Sequence, residues 1–208
     1  MNSFMQQSPF LDKLILEFCN LIVSHISMKK FLGNSIFKAV GWTYDADPTI
    51  LEKKQVIIGF EHTSNLDAIL SIALFQILDL KIHTLIKKEL FKGPMKPILE
   101  KLGGIPVDRK ASKDIVSQMV EKFQSSDTFN LVIAPEATRA KDGSERKPIR
   151  TGFWHIAKAA NVPIVLMYAN ARTKKGGILG KIYPTDLQKD LETIKELYAQ
   201  YDIDVKIN

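Results

Sequence analysis

Residues 56 to 74 read V-I-I-G-F-E-H-T-S-N-L-D-A-I-L-S-I-A-L, and the change of pattern inside this stretch decides the fold. Val56-Ile57-Ile58-Gly59-Phe60 has no polar side chain, which marks a strand buried on both faces. Ile69 to Leu74 is nearly as apolar and predicts a helix packed on a core. His62 and Asp67 therefore stand where a strand ends and a helix begins. Five residues along one continuous helix turn through about 500°, so these two side chains cannot share a helix face. They meet only if the chain bends over Thr63 to Leu66 and places Asp67 in the helix's first turn. There its carboxylate can accept a hydrogen bond from one imidazole nitrogen and leave the other as a base. No serine nucleophile is needed, because the pair can act on a substrate hydroxyl. Thr63, Ser64 and Asp67 also suit helix capping, with His62 a satisfied histidine at a strand end. The residues alone leave both readings open.

Downstream the same alternation repeats. The helix after Asp67 is expected to run to Leu78, and a strand at Ile82 to Ile86 delivers Lys87 and Lys88. Met95 to Leu102 predicts a short helix after Gly93-Pro94. Gly103 and Gly104 permit a tight backbone approach, and Ile105 and Val107 extend toward Asp108-Arg109. A guanidinium there can meet two phosphate oxygens at once; an ion pair with Asp108 is the plain alternative. Ile115, Val116, Met119, Val120 and Phe123 mark an amphipathic helix facing the core. Phe129 to Ala134 is a second strongly apolar strand, and it hands over at once to Pro135-Glu136-Ala137-Thr138-Arg139. Glu136, Thr138 and Arg139 can hold a polar acceptor at a strand's C-terminal end, where open α/β sheets place ligands. A hydrogen-bonded loop with a salt bridge explains them equally well.

A helix around Phe153 to Ala160, a strand at Val162 to Met167, another at Ile178 to Tyr183 and a terminal helix from Asp186 complete the chain. Upstream, Gly41 to Tyr44 predicts a first strand. Ser8-Pro9 begins an amphipathic helix at about 9–31, whose charges at Asp12, Lys13 and Glu17 oppose a membrane span. That helix either closes over the core or lies in a membrane interface with Lys29, Lys30 and Lys38 near headgroups. Gly33 loosens the pattern beyond it. His25, His83 and His155 lack a compact catalytic setting, which leaves His62 as the preferred base.

Apolar strands alternating with covering helices predict a single α/β domain over residues 1–208, with a mostly parallel mixed sheet. The length of 208 residues fits one domain. Twenty-nine Lys and Arg against 23 acidic residues give +6, which favours an anionic partner such as a phosphorylated metabolite or an anionic membrane. Nothing resembles a zinc finger, a basic zipper or an RNA-binding aromatic pair, so no specific nucleic acid is expected. A single cysteine, Cys19, excludes an internal disulfide and is compatible with a reducing cytosol. No secretory signal is read at the N-terminus. The glycine patterns of dinucleotide folds and triphosphatase phosphate loops are both missing.

Taken together, the blocks resemble the glycerolipid acyltransferase family, in particular the lysophosphatidic acid (1-acylglycerol-3-phosphate) acyltransferases. His62-Thr63-Ser64-Asn65-Leu66-Asp67 resembles the H-x-x-x-x-D motif, and Gly104-Ile105-Pro106-Val107-Asp108-Arg109 the second block. Pro135-Glu136-Ala137-Thr138-Arg139 is similar to the third, and Val162-Pro163-Ile164-Val165 to the fourth. The resemblance covers roughly residues 55–170. It implies acyl transfer from acyl-CoA or acyl carrier protein, as cosubstrate, to the hydroxyl of a lysophospholipid or glycerophosphate acceptor. No metal or other cofactor is implied. By the same resemblance His62 is the general base and Asp67 orients it. Arg109 and Arg139 bind phosphate, Glu136 and Thr138 shape the acceptor pocket, and the protein works peripherally at the cytoplasmic face of an anionic membrane. Ala137 stands where relatives usually carry glycine, and Glu61 where asparagine is frequent. The fourth block lacks a second proline. Three alternatives stay beside this reading: an O-acyltransferase for another lysophospholipid or an amino-acid-containing lysolipid, a metal-dependent hydrolase using His62 and Asp67 as ligands, and a lipid-binding module without turnover.

Overall fold

The structure is a computed structural model that describes residues 28–60, 65–108, 112–135 and 148–207, without the side chains of residues 65, 67 and 112–114. In chain order the elements begin with helix α1 (28–39 in its described part), β1 (Thr43–Asp45), β2 (Lys54–Phe60), α2 (Asn65–Ile77), β3 (Ile82–Lys87) and α3 (Met95–Lys101). They continue with β4 (Gly104–Val107), α4 (Ser112–Ser125), β5 (Phe129–Ile133), α5 (Gly152–Ala160), β6 (Ile164–Asn170), β7 (Lys175–Ile182) and α6 (Leu187–Ala199). Residues 9 to 27 of the expected N-terminal helix lie outside the described residues.

Among the described residues the strands form one seven-stranded sheet in the order β1-β7-β6-β2-β5-β3-β4. The five strands from β6 to β4 run parallel. β7 turns back antiparallel to β6, and β1 joins β7 in parallel, so the sheet is mixed at that edge. This is the single α/β sheet that the sequence pattern predicts. β2 is central, and its period of two splits its apolar run between two cores. Val56, Ile58 and Phe60 pack toward α4, α5 and α6 with Leu131, Phe153, Ile194 and Tyr198. Ile57 packs toward α1 and α2 with Leu70, Leu74 and Phe37.

Two departures from the sequence reading have clear physical causes. Gly33 interrupts the apolar pattern, yet α1 continues through it. A Cβ at this position would stand 2.6 Å from Ile77 Cγ1 and 2.7 Å from the Ala73 carbonyl oxygen. Glycine here lets two helices lie close together, and Lys29 pairs with Asp79 at 3.2 Å across the same contact. Second, α2 starts at Asn65, which leaves only residues 61 to 64 for the bend.

The far side of the sheet is tied by a buried carboxylate. Asp190 accepts from Trp154 Nε1 at 2.8 Å, from Thr185 N at 2.7 Å and from Thr185 Oγ1 at 3.1 Å. Burial pushes its pKa up, but the bonds from Trp154 and Thr185 outweigh this and hold it below the usual carboxylate value. A depressed folded pKa gives stability that is present above the unfolded value of about 3.9 and is lost as pH falls through the folded one. Asp190→Asn keeps one acceptor but aims an NH₂ at donors, and is expected to cost about 2–3 kcal/mol at pH 7. Urea unfolding at pH 7 and near pH 3 checks this: the gap between the two proteins should close in acid. A constant gap would contradict the role given to the charge.

Candidate active site

Parallel strands put their C-terminal ends on one edge of the sheet, and three of the four motif blocks are reached along strands that end there. β2 ends at Phe60, just before His62, and α2 begins at Asn65, so the backbone of Asp67 lies in the first turn of the helix. β5 is the direct neighbour of β2, with Ile58 level with Ile133, and it delivers Pro135 and the block after it to the same edge. β4 lies two strands beyond β5, which at about 4.8 Å per strand sets the end of β4 about 10 Å from the end of β5. His62, Arg109, Glu136, Thr138 and Arg139 themselves lie outside the described residues, as does the Asp67 side chain. The strand ends fix only where the chain enters and leaves each block.

The fourth block does not join this edge. Val162 and Pro163 precede β6 at its N-terminal end, where Pro163 O accepts from Val56 N at 3.0 Å and Val162 N donates to Ala157 O at 3.1 Å. Those bonds start a central strand, so the proline segment has a packing role at the opposite end of the sheet. The remaining described histidines also sit away from the edge or outside any acidic setting. His83, near the start of β3, stacks on Phe129 with centroids 4.5 Å apart. Burial, and then Lys81 and Lys122, push its pKa down. His155 is exposed and packs edge-on against Trp154.

Two cationic side chains at this edge acquire roles that spacing alone did not give them. Lys88 Nζ meets Asp108 Oδ2 at 2.7 Å, and the Asp108 carboxylate raises the lysine pKa. The pair clips the end of β3 to the residue just before Arg109. Arg150 was missed altogether. Its backbone N–H donates to Pro135 O at 3.0 Å, and its side chain lines a cleft of about 490 Å³ beside Val107, Val116, Ile133, Pro135 and Phe153. Its only sequence signal was one more cation after Arg146 and Lys147, and linear distance from the third block hid the contact.

On the opposite face of the sheet a larger groove, about 760 Å³, runs between α2 and α3. Gly59 and Ala68 line it near the C-terminal end of β2, then Ser71, Ile72 and Phe75 along α2, with Ile86 and Leu102 across from them. Since α2 rises about 1.5 Å per residue, Phe75 lies about 10 Å deeper than Ala68. Most of its lining residues are apolar, and Lys81, His83, Glu100, Lys101 and Lys122 also line it. Among the described residues no three His, Cys, Asp or Glu side chains gather as a metal site.

A family model described as acyltransferase matches residues 43–169. Comparison with curated proteins gave no match. Among solved structures, the 1-acyl-sn-glycerophosphate (LPA) acyltransferase PlsC from Thermotoga maritima is similar at a TM-score of 0.55 and 15% identity, over 85% of this chain and 77% of that one. That likeness is one of fold. The matched segment starts with β1 and ends in β6, so it takes in the four motif blocks and the edge where the strands leading to three of them end, and the chain belongs to the acyltransferase family, the glycerolipid acyltransferases that those blocks resemble.

Proposed function

We propose that the protein transfers a fatty acyl group from acyl-CoA or acyl carrier protein to the free hydroxyl of a 1-acylglycerol-3-phosphate, forming phosphatidic acid. The observation that carries the reading is the mostly apolar groove, which runs from near the C-terminal end of β2 beneath α2 and has a volume within the range of about 300–1,000 Å³ usual for ligand sites. A fatty acyl chain is a ligand with that shape and chemistry. A phosphorylated acceptor, in turn, suits an edge where Arg109 and Arg139 follow β4 and β5 and where Arg150 borders Pro135.

In this mechanism His62 takes the proton of the acceptor hydroxyl as its oxygen attacks the thioester carbonyl. Asp67 holds the imidazole in orientation from the first turn of α2. The carbonyl oxygen becomes anionic and requires donors close by. Collapse of the tetrahedral intermediate forms the ester and expels the thiolate, which takes the proton held by the His62 imidazolium and leaves as the thiol. Glu136 and Thr138 shape the acceptor pocket, and the arginines hold its phosphate. The protein works peripherally at the cytoplasmic face of a membrane; no helix among the described residues is long and apolar enough to cross one.

The test is an acyl-transfer screen with acyl-CoA and acyl carrier protein donors against phosphorylated and unphosphorylated lysolipids, with the ester product identified by mass spectrometry. Transfer only to an unphosphorylated or amino-acid-containing lysolipid would replace the acceptor named here. A further prediction concerns the groove. Ser71→Phe places a ring between Ala68 and Phe75 and is expected to shift preference toward shorter acyl donors, read as at least a several-fold change in the ratio of kcat/KM values across a donor series. An unchanged chain-length profile would remove the acyl chain from this groove.

A further inference from the structure

The groove has an unusual rim. α3 has no buried residue at all, and Met95, Ile98 and Leu102, spaced i, i+3, i+7 along one stripe, are 47%, 50% and 66% exposed. Across the groove Ile69 and Ile72 of α2 are 49% and 53% exposed, and Leu90, between β3 and α3, is 56% exposed. Six large apolar side chains are thus exposed on the segments that border the groove, and two of them, Ile72 and Leu102, line it. The segment 87–102 that carries four of them also holds five lysines and two glutamates. Lys92 and Lys96 are exposed, and Lys96 only grazes Glu100 at 4.0 Å.

We propose that this rim, α3 with the outward side of α2, docks on an anionic lipid surface, so that the acyl groove opens sideways into the bilayer. The role in acyl entry rests on the acyltransferase reading; the docking does not. Charge selects the occupant. A short apolar stripe flanked by lysines matches a headgroup layer, where the stripe sinks among acyl chains and the ammonium groups reach back to phosphates. A protein partner would leave those lysine heads to be desolvated or paired one by one. For the reaction the placement has a direct use: a fatty chain can pass from bilayer to groove without crossing water, which its apolar surface strongly disfavours.

The full-length chain carrying Cys19→Ser and either Met95→Cys or Ile98→Cys, labelled with an environment-sensitive fluorophore, tests the site. Glu192→Cys on the exposed side of α6 serves as the reference position. On vesicles containing a third phosphatidylglycerol the labels at 95 and 98 are expected to shift blue and to be quenched by lipid-borne quenchers, while the label at 192 stays in water. Lys92→Gln/Lys96→Gln should weaken vesicle binding about five-fold per lysine, an effect that fades in high salt. Labels at 95 and 98 that remain in water on bound protein would overturn the proposal. So would labels already shielded before vesicles are added, which would mean that another part of the chain or a second copy covers the rim. Acyl transfer is assayed separately in detergent-dispersed substrate. Labels that enter the bilayer support the docking even where no transfer is detected, and loss of transfer there counts against the acyltransferase reading alone.

Discussion

His62→Ala is expected to lower acyl-transfer turnover by about 10²–10⁴-fold, because a positioned histidine acting as general base contributes that much. The loss should fall on kcat, with a smaller change in KM, since the imidazole does its work while the hydroxyl proton is moving. Asp67→Asn should cost less. It leaves the base in place and exchanges the carboxylate that orients it for a neutral amide, which keeps one acceptor oxygen, at a backbone position in the first turn of α2. The assay is product formation by mass spectrometry with each purified variant, alongside a thermal melt that checks folding. Full activity in His62→Ala would end the proposed mechanism. Activity that disappears on chelation and returns with a divalent metal would point instead to a hydrolase-like metal site. Vesicle binding without thioester consumption in the wild-type chain would reduce the protein to a lipid-binding module.

How much of this was readable from residues alone depends on what each inference required. Apolar runs and their periods gave nearly every strand and helix, because burial on one or both faces writes itself into local sequence. β2 and β5 could be read as fully buried strands, and the structure pairs them as neighbours at the sheet centre. Strand order could not be read, since it depends on which apolar surfaces meet in space, and neither could the antiparallel return of β7. Gly33 was ambiguous for a related reason: a glycine in a helix looks like a break until its neighbour, Ile77, is known. Of the candidate site, the sequence offered its blocks and their order, which the family match over residues 43–169 takes in. Arg150 stayed hidden because its link to the third block is a tertiary contact with Pro135. The groove stayed hidden too, as a space bounded by α2 and α3 has no linear signature. The fourth block entered through the resemblance alone, and the structure sets its proline before β6, at the far end of the sheet.

Gly103→Ala is expected to destabilise the protein by about 3 kcal/mol, combining about 1–3 for a strained backbone with about 1–3 for overpacking. Gly103 has φ +79°, a conformation that costs any residue with a Cβ. An added Cβ would also stand 2.1 Å from the carbonyl oxygen of Ile82, far inside contact distance and against backbone that has no rotamer to yield. Only movement of the 103–104 segment away from β3 relieves this. That movement breaks the bond from Thr84 N to Gly103 O and disturbs the register that sets Lys87 opposite Val107. Among the described residues β4 is the edge strand with β3 as its one neighbour in the sheet, so no second described ladder holds it in place. The damage should therefore travel along four residues to the Lys88–Asp108 clip and the Arg109 that follows it. For a chain of this size the loss corresponds to a fall in Tm of about 10 °C. At a temperature where the variant is still folded, KM for the phosphorylated acceptor should rise in the same sense as in Arg109→Ala, while activity toward an unphosphorylated lysolipid changes little. An unaltered melting temperature would mean that the glycine's conformation is not needed. A normal Tm shift with unchanged acceptor KM would separate β4 from phosphate recognition and leave that task to the arginines beside β5.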